Sequence, residues 1–393
     1  MLYTFPELDA RDEAVLDAID LYRQKLRYFL GSTRRWKGQL RRNLRARAMR
    51  GSNSIEGYEV SLDDAIALLE NDENAVDADQ RTILEVTGYR NAMTYVQQLA
   101  DDPDFHVDQS LLRGLHFMML GHDLSKSPGS YRRGAIYVRD EHRGEVVYEG
   151  PDWTTVSELM EELVGQLQHL DVRNDEHPVL VTGAMAHLNL VMVHPFREGN
   201  GRMARCLQTL ILARNQFLGP EFTSIEEWLG RNTAAYYDVL SKTGRGVWSP
   251  QNNTLDWVRF NLTAHHMQAQ TVWHRVQESE ELWVELERVA EDHRLPSRSL
   301  NGLFNAAQGL RLRRTAYQAD AGIEVGTANR DLRGMVQAGL ITARGETRGR
   351  HYVGTDQLRN VYREIRSKYR AAVIAPYSVE QTDQLVPAEW RSP

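Results

Sequence analysis

Cysteine, long apolar runs and internal repeats are scarce in this chain of 393 residues. The single cysteine, Cys206, excludes an internal disulfide framework and a cysteine-rich zinc site. No apolar run approaches the ~20 residues of a membrane-spanning helix. The opening residues, MLYTFPELDARDEA, have neither a basic nor an apolar region of the signal-peptide type. We therefore expect a chain without membrane contact in a reducing cytoplasm.

The charge is uneven along the chain. The net charge is -7, yet residues 293–370 hold 15 Lys and Arg against 6 Asp and Glu. Residues 371–393 hold one basic and three acidic residues, so 1–292 carry -14. Apolar residues make up 41%, as in globular proteins, and the length suggests about two to three domains. An acidic body joined to a basic module predicts two functions on one chain.

Most of the first 290 residues have apolar groups at helical spacing, so the sequence predicts a mainly α fold. Helices are expected at 12–30, 61–70, 83–100, 110–120, 154–170 and 178–193. A short β-hairpin is expected where β-prone runs flank the polar turn 139–144. Those runs are Ala135, Ile136, Tyr137 and Val138, and 145–148. Eight basic residues without an acid fall within 34–50, which favours a solvated helix face over a partner or nucleic-acid surface.

The most informative stretch is 194–205, which reads HPFREGNGRMAR. Pro195 ends the apolar helix before it, because proline does not continue a helix easily. Gly199 and Gly201 permit a tight turn whose amides approach a ligand closely. Such a turn at the N-terminus of a second helix favours an anion, since free N–H groups and the helix dipole point at it.

Four side chains of this stretch add chemistry to the turn. Arg202 and Arg205 lie three residues apart, on one helical face, where both can reach one phosphate chain. Glu198 supplies a hard oxygen ligand suited to Mg²⁺ held mostly by phosphates and water. His194 is a general-base candidate near neutral pH. The set matches the needs of phosphoryl or nucleotidyl transfer.

This ordered set resembles, without a mismatch, the HPFx(D/E)GNGRxxR signature of the Fic family. The segment 128–138 is similar to the family's approach to its flap, a hairpin that lays a target segment across the site by strand addition. The resemblance covers about 105–245 and implies a Fic helical core with a short β-hairpin flap. Tyr236 and Tyr237 match a pair that lines the nucleotide base site in some members, with core packing as the alternative.

The resemblance implies AMP transfer from ATP to a Ser, Thr or Tyr hydroxyl of a target protein. His194 would deprotonate the hydroxyl, and Glu198 would hold Mg²⁺ bridging the phosphates. Some relatives move phosphate or phosphocholine instead, usually with altered motifs, and the intact motif favours AMP.

The same resemblance implies how the phosphates are held. The amides of Gly199, Asn200 and Gly201 would neutralise charge on the α and β oxygens. Arg202 would bind the β-phosphate and Arg205 the γ-phosphate.

A second motif precedes the core. Residues 52–57 read SNSIEG and are similar to the family's inhibitory motif (S/T)xxxE(G/N), with Ser52, Glu56 and Gly57 in the defining places. The resemblance implies the class with an N-terminal inhibitory helix. Glu56 would pair with Arg205 and place negative charge where the γ-phosphate of ATP belongs. In some relatives this glutamate positions water that removes AMP, and the sequence leaves both roles open.

The basic C-terminal module has the pattern of a winged helix-turn-helix. Helices are expected at 299–308, 315–321 and 327–338, followed by a hairpin through 353. The segment TANRDLRGMVQAGLI resembles that family's recognition helix. Duplex DNA is the favoured partner, and protein docking or dimerisation is the alternative. Groove and wing candidates are Thr327, Asn329, Arg330, Arg333, Arg344, Arg348 and Arg350.

The sequence thus predicts five regions along the chain. They are a helical region with the inhibitory motif (1–104), a core similar to the Fic family (105–245), a helical extension (246–292), a winged helix (293–370) and a loose tail (371–393). An autoinhibited protein adenylyltransferase with ATP and Mg²⁺ is the leading hypothesis. The alternatives are a transcriptional regulator that uses the core as a nucleotide sensor, and a de-AMPylase of the same target. The sequence leaves a homodimer open.

Overall fold

The computed structural model describes residues 1–31, 34–100, 102, 104–139, 146–168, 177–215, 219–346, 349–369 and 373–390. Within these residues the chain is mainly helical, with two separate two-stranded antiparallel sheets. The helices up to the middle of the chain are α1 (Ala10–Gly31), α2 (Lys37–Ile55), α3 (Leu62–Leu69), α4 (Gln80–Ala100), α5 (Gln109–Leu120), α6 (Val156–Gln168), α7 (Val179–Val193) and α8 (Asn200–Arg214). The later helices are α9 (Pro220–Thr223), α10 (Glu226–Arg231), α11 (Thr233–Gly244), α12 (Leu255–Asp292), α13 (Ser299–Ala307), α14 (Arg314–Ala321), α15 (Val325–Gln337) and α16 (Asp356–Lys368).

The six helices expected from apolar spacing are present, with ends shifted by a few residues. Polar caps fix two of the starts, because Ser61 accepts a hydrogen bond from the Asp64 amide and Asp108 from the Leu111 amide. The helix predicted over 154–170 is α6, and residues 169–170 lie outside the described part of the chain.

Helix α7 lies within the segment 105–245, which carries the motif. Almost all its residues are buried, which explains an apolar sequence without a polar face. It packs against α8, and both contribute to one core with Leu190, Phe196, Met203 and Leu207. The turn between α7 and α8 is the 194–199 segment, so the best-packed pair of helices positions the motif.

Six residues of the basic run lie on helix α2, and two precede it. The expectation of a solvated helix face is met only in part, because Arg41 and Arg50 are exposed while the other four on the helix are half-buried. Leu40 and Leu44 are buried in a core shared with α12. The cations pair with acids from other elements: Arg42 with Glu70 and Asp320. Since the helix is enclosed on several sides, its charges are matched across tertiary contacts that sequence spacing does not reveal.

The first hairpin consists of β1 (Tyr137–Arg139) and β2 (Val146–Glu149). Val138 pairs with Tyr148 in an antiparallel register. The Tyr148 hydroxyl donates to the Met192 carbonyl at 2.8 Å, which ties the hairpin to the end of α7. The expected turn and Glu145 fall on residues 140–145, outside the described residues.

The basic module contains α13, α14 and α15, then β3 (Ile341–Arg344) paired with β4 (His351–Gly354). Leu312 forms an antiparallel bridge with Tyr352, so the hairpin is tied to the segment before α14. This is the order of elements on which the winged-helix expectation rests. Arg348 lies outside the described residues.

Residues 373–390 pack against the body, so the expectation of a loose tail is wrong for them. Leu385 is buried, and its carbonyl accepts a hydrogen bond from His266 Nε2 at 2.8 Å. Tyr377 donates to Asp12 at 2.8 Å. None of the helices in the described ranges combines the length and apolarity that crossing a membrane requires.

Candidate active site

His194 ends helix α7 in the left-handed backbone conformation, with φ 50°. Its ring Nδ1 lies 3.0 Å from the Val191 carbonyl, which can only accept, so Nδ1 carries the proton and Nε2 is the acceptor. Burial lowers the pKa of His194 below its usual 6.5, and the nearby Arg132 charge acts in the same direction. The imidazole is therefore neutral at pH 7, as a general base must be.

Arg132 braces the turn that holds His194. Its Nε donates to the His194 carbonyl at 2.8 Å, and its Nη2 to the Pro151 carbonyl at 2.6 Å. Its own amide donates to the Pro195 carbonyl at 2.9 Å. One side chain thus connects the start of the hairpin segment to the motif. Sequence reasoning missed this role, although the arginine stands within PGSYRRG.

His116 and Phe196 stabilise the next part of the turn. Their rings stack with a distance of 3.7 Å between the ring centres and an angle of 7° between the ring planes. His116 Nε2 donates to the Glu198 carbonyl at 2.9 Å, while the Gly129 amide donates to its Nδ1 at 2.8 Å. Burial lowers the pKa of His116 to about 4, so it is neutral. It is a second histidine of the site that the motif does not contain.

Gly199 and Asn200 begin helix α8. Gly199 has φ 78°, a conformation that favours glycine. The Asn200 side chain accepts from the Phe196 amide and donates to its carbonyl, both at 2.9 Å. Asn200 therefore closes the turn, and only its backbone amide is directed to the helix N-terminus. The first N–H groups of a helix lack intrahelical acceptors, which leaves an anion site there.

Arg205 is 1% exposed and is held by the end of α2. Its Nε donates to Ser52 Oγ at 2.7 Å, and its Nη2 to Glu56 Oε1 at 2.7 Å. Its Nη1 has no partner among the described residues. Burial raises the pKa of Glu56, but the charges of Arg205 and Arg202 outweigh it and hold that pKa below its usual value. Glu56 is therefore ionised against Arg205.

Gly57 ends α2 with φ 81°, so a left-handed glycine places Glu56 at the helix terminus. A Cβ at Gly201 would lie 2.5 Å from Glu56 Oε1. The α8 N-terminus and the carboxylate are therefore in direct contact, and a side chain at 201 would require Glu56 to shift.

Arg202 is buried and is held by a carboxylate outside the motif. Its Nη1 donates to Glu85 Oε2 at 2.8 Å, and its guanidinium lies 5.4 Å from the centre of the Tyr58 ring. Its Nε has no partner within the described ranges. Sequence reasoning missed Glu85 and Tyr58, since neither is near the motif in sequence.

Glu198 is 48% exposed, and its Oε2 lies 3.0 Å from Lys126 Nζ. In the described parts of the chain, no group of three or more His, Cys, Asp or Glu residues could hold a metal ion. A divalent cation here would take this one carboxylate and complete its shell with phosphates and water, as Mg²⁺ commonly does. The donor chemistry of Glu198 fits that use.

The tyrosine pair divides between core and surface. Tyr236 is 1% exposed, and its hydroxyl lies 2.9 Å from His187 Nε2. Tyr237 is 47% exposed, and its hydroxyl donates to the Ile55 carbonyl at the end of α2. Tyr237 is therefore the member of the pair with a ring surface available to a base.

The hairpin candidates lie on the surface side of the site. Tyr137 is 48% exposed and Ala135 is exposed, while Ile136 and Val138 are half-buried. In the described residues, β1 pairs with β2 and with no other strand. Its outer edge therefore offers backbone groups to an added strand.

Comparison with known proteins gives a family match and several relatives in sequence. Residues 106–212 match the sequence model of the Fic/DOC family. "Protein adenylyltransferase Fic" of Culex quinquefasciatus is 35% identical over 199 residues, covering 50% of this chain and 36% of the relative. The protein of the same name from Nematostella vectensis is 27% identical over 246 residues, which cover 61% of this chain and 53% of the relative. The chain thus spans between about a third and about half the length of these relatives.

The fold extends the likeness beyond the motif. A crystal structure of a Fic family protein from Desulfovibrio desulfuricans G20 superposes with a TM-score of 0.55. It covers 90% of this chain and 99% of that protein at 22% identity, so it speaks for the fold alone. The segment 106–212, which is similar to the Fic/DOC family, contains the turn, the two arginines and the first hairpin.

Proposed function

We propose that the chain is an autoinhibited protein adenylyltransferase that transfers AMP from ATP to a hydroxyl side chain of a target protein. The observation that carries the proposal is the geometry of 194–205. A neutral histidine, a helix N-terminus and two buried arginines with unpartnered donors within the described residues converge on one turn. The relatives named above are protein adenylyltransferases, which supports the same reaction.

His194 acts as the general base in this proposal. Its Nε2 accepts the proton of a Ser, Thr or Tyr hydroxyl while Nδ1–H stays on the Val191 carbonyl. The hydroxyl oxygen attacks the α-phosphorus, and the bond from that phosphorus to the bridging oxygen breaks. Pyrophosphate leaves with the bonding electrons, and the target carries AMP. The amides of Gly199, Asn200 and Gly201 stabilise the charge on the non-bridging oxygens.

The phosphates beyond the reacting one are assigned to the arginines. Arg202 binds the β-phosphate and Arg205 the γ-phosphate through donors that otherwise stay unsatisfied in a buried setting. A buried unsatisfied donor costs about 1–3 kcal/mol, so an anion there is favoured. Glu198 would hold Mg²⁺, which neutralises charge on the phosphates when bound.

Glu56 acts as the brake. Its ion pair with Arg205 occupies the arginine that the γ-phosphate needs and sets a negative charge beside it. ATP then binds with its γ-phosphate displaced and its α-phosphorus misaligned for attack. The alternative role of Glu56 is to orient water, and removal of AMP from a modified target is then the alternative activity of the same site.

The hairpin and Tyr237 complete the assignment. A target segment adds to the outer edge of β1, beside Ala135, Ile136, Tyr137 and Val138, and thereby lays its hydroxyl across the turn. The base of ATP stacks on Tyr237, with Tyr236 supporting it from the core.

Label transfer tests the proposal directly. The full-length chain is incubated with ATP labelled at the α-phosphate and Mg²⁺, and self-modification is measured by mass spectrometry. Incorporation of AMP that is lost in His194→Ala supports the proposal. Labelling from γ-labelled ATP instead would point to phosphate transfer and contradict it.

Duplex DNA binding by 293–370 is a second candidate function. Asn329, Arg330 and Arg333 on α15 and Arg344 and Arg350 on the second hairpin are all exposed. We expect the full chain to bind duplex DNA with an affinity that falls steeply as salt rises, measured by fluorescence anisotropy. Binding that is absent at low salt would leave a docking role for this module.

A further inference from the structure

Glu85 lies on α4, outside the matched 106–212 segment, yet it binds a side chain of the motif. The residue is fully buried. Its Oε2 accepts from Arg202 Nη1 at 2.8 Å, and its Oε1 from Lys126 Nζ at 2.6 Å and the Tyr58 hydroxyl at 3.1 Å. All three of these partners donate hydrogen bonds, and His122 Nε2 also lies 3.4 Å from Oε1, so the surroundings of Glu85 favour a carboxylate anion.

The charge on Glu85 is permanent under physiological conditions. Burial raises its pKa, but the Arg202 charge and the hydrogen bonds from Lys126 and Arg202 lower it to about 2. A group with this pKa neither gives nor takes a proton during turnover near pH 7. The contribution of Glu85 must therefore be electrostatic and geometric.

Two contacts fix the guanidinium of Arg202. Glu85 holds Nη1, and the Tyr58 ring lies 5.4 Å from the planar group. A free arginine side chain loses up to about 2 kcal/mol of rotamer entropy when it is ordered. Here that cost is met before a ligand arrives, and the unpartnered Nε has one fixed direction.

Lys126 extends the arrangement to the metal-ligand candidate. Its Nζ lies 2.6 Å from Glu85 and 3.0 Å from Glu198, while the lysine is 6% exposed. Arg202, Glu85, Lys126 and Glu198 thus form a chain of alternating charges. This chain connects the arginine assigned to the β-phosphate to the carboxylate near the end of the 194–199 turn.

We propose that Glu85 is a positioning residue for the β-phosphate, acting through Arg202, with Lys126 as the link to Glu198. The inference rests on the proposed function, because that function assigns Arg202 to the β-phosphate. The rival role, a second brake in which Glu85 competes with phosphate for Arg202, has the opposite consequence for binding.

Comparison of ADP with AMP isolates this role, since AMP lacks the β-phosphate. Isothermal titration of the full chain with each nucleotide in the presence of Mg²⁺ compares wild type with Glu85→Gln. We expect ADP affinity to fall about tenfold, the loss of one charge-assisted contact, and AMP affinity to stay within about twofold. Tighter ADP binding would establish the brake instead, and equal losses for both nucleotides would show a merely structural role. Either result overturns the proposal.

Arg202→Ala separates failure of this inference from failure of the proposed function. If Arg202→Ala loses ADP selectively but Glu85→Gln does not, the positioning role is wrong and the phosphate assignment stands. If neither variant discriminates ADP from AMP, the assignment of Arg202 fails as well. The double variant should bind ADP no more weakly than Arg202→Ala alone, because both changes act on one contact.

Two further variants guard against unfolding. Glu85→Gln leaves two buried cations without their shared anion, and breaking buried pairs is strongly destabilising. Glu85→Asp keeps the charge but retracts it by one methylene, so the same selective loss of ADP is expected from a folded protein. Asp331→Asn is the matched control, because it removes a buried carboxylate bound to Arg298 at 2.7 Å in the basic module. It should leave both affinities unchanged.

Discussion

Asp320 of the basic module binds Arg42 on helix α2, the helix that ends next to Glu56. Asp320 Oδ2 accepts from Arg42 Nη2 at 2.6 Å and from Gln39 Nε2 at 2.9 Å. The opposite end of the same helix, α2, presents Glu56 to Arg205. The C-terminal module therefore contacts α2 near its N-terminal end, and Glu56 lies at the opposite end of that helix.

Loosening that attachment should weaken the brake. Asp320→Asn removes the charge that two side chains of α2 share, so we expect AMP transfer to rise severalfold, for a loss of ~1 kcal/mol. The readout is the initial rate of self-modification, with thermal unfolding measured in parallel. Asp331→Asn is the control, since it breaks an ion pair of the same module that does not involve α2. Equal rates in wild type and Asp320→Asn would show that the module does not hold the brake.

His194→Ala should abolish AMP transfer and preserve nucleotide binding. The imidazole is the base, and loss of a general base costs ~10²–10⁴-fold. The α8 N-terminus and both arginines stay in place, so ATP affinity measured by titration should change little. Near-normal transfer in this variant would contradict the mechanism, whereas lost binding would show that His194 shapes the turn.

The pH dependence of transfer should follow the neutral imidazole. Because burial lowers the pKa of His194 below 6.5, the rate should be level near pH 7 and fall only at more acidic pH. The Glu56 charge raises this pKa, so Glu56→Gly should shift the acid limb to still lower pH. Single-turnover rates against pH test this, with ATP affinity at each pH as the control. An acid limb centred above 6.5 would exclude His194 as the base.

Much of the site was predictable because its motif is contiguous. His194, Gly199 and the two arginines occupy one turn and one helix, so twelve neighbouring residues specify their geometry. The helices were predictable for a similar reason, since apolar spacing is a local property.

The residues that support the motif were not predictable in this way. Glu85, Lys126, Arg132 and His116 reach it from separate elements, across many residues of sequence. The single sequence shows no pairing between distant positions. The basic run illustrates the same limit, because the carboxylates that pair with it come from distant parts of the chain. They are Glu70 directly after α3, Glu227 on α10 and Asp320 on α14.

Glu198→Ala should weaken Mg²⁺-dependent transfer, because it removes the carboxylate proposed to bind the cation. The described residues offer no group of three ligands elsewhere, so the remaining cation affinity would come from the nucleotide alone. Lys126→Met should act in the opposite sense, because it removes a cation 3.0 Å from the Glu198 carboxylate. Mn²⁺ binding followed by electron paramagnetic resonance in the presence of ADP measures both. Unchanged affinity in Glu198→Ala would exclude it as the ligand.

Glu56→Gly should increase AMP transfer, including self-modification. In the wild type Arg205 is bound to Glu56 at 2.7 Å, and in the proposed function this carboxylate keeps the γ-phosphate away from Arg205. Removing this carboxylate releases Arg205 from the ion pair. It also removes a negative charge that would repel the γ-phosphate. A charge-assisted hydrogen bond contributes ~1.5–3 kcal/mol, so activation of at least about tenfold is expected unless another step limits the rate.

Two companion variants make this last prediction specific. Glu56→Gln keeps the size of the side chain without its charge and should also activate, although less than Glu56→Gly because its amide still reaches Arg205. Adding Arg205→Ala to Glu56→Gly should remove most of the gain, since the freed arginine is what productive ATP needs. Equal activity of Glu56→Gly and wild type across a range of ATP concentrations would reduce the segment 52–57 to the structural C-terminal end of α2. Loss of AMP release from a modified target in the same variant would assign the hydrolytic role to Glu56 as well.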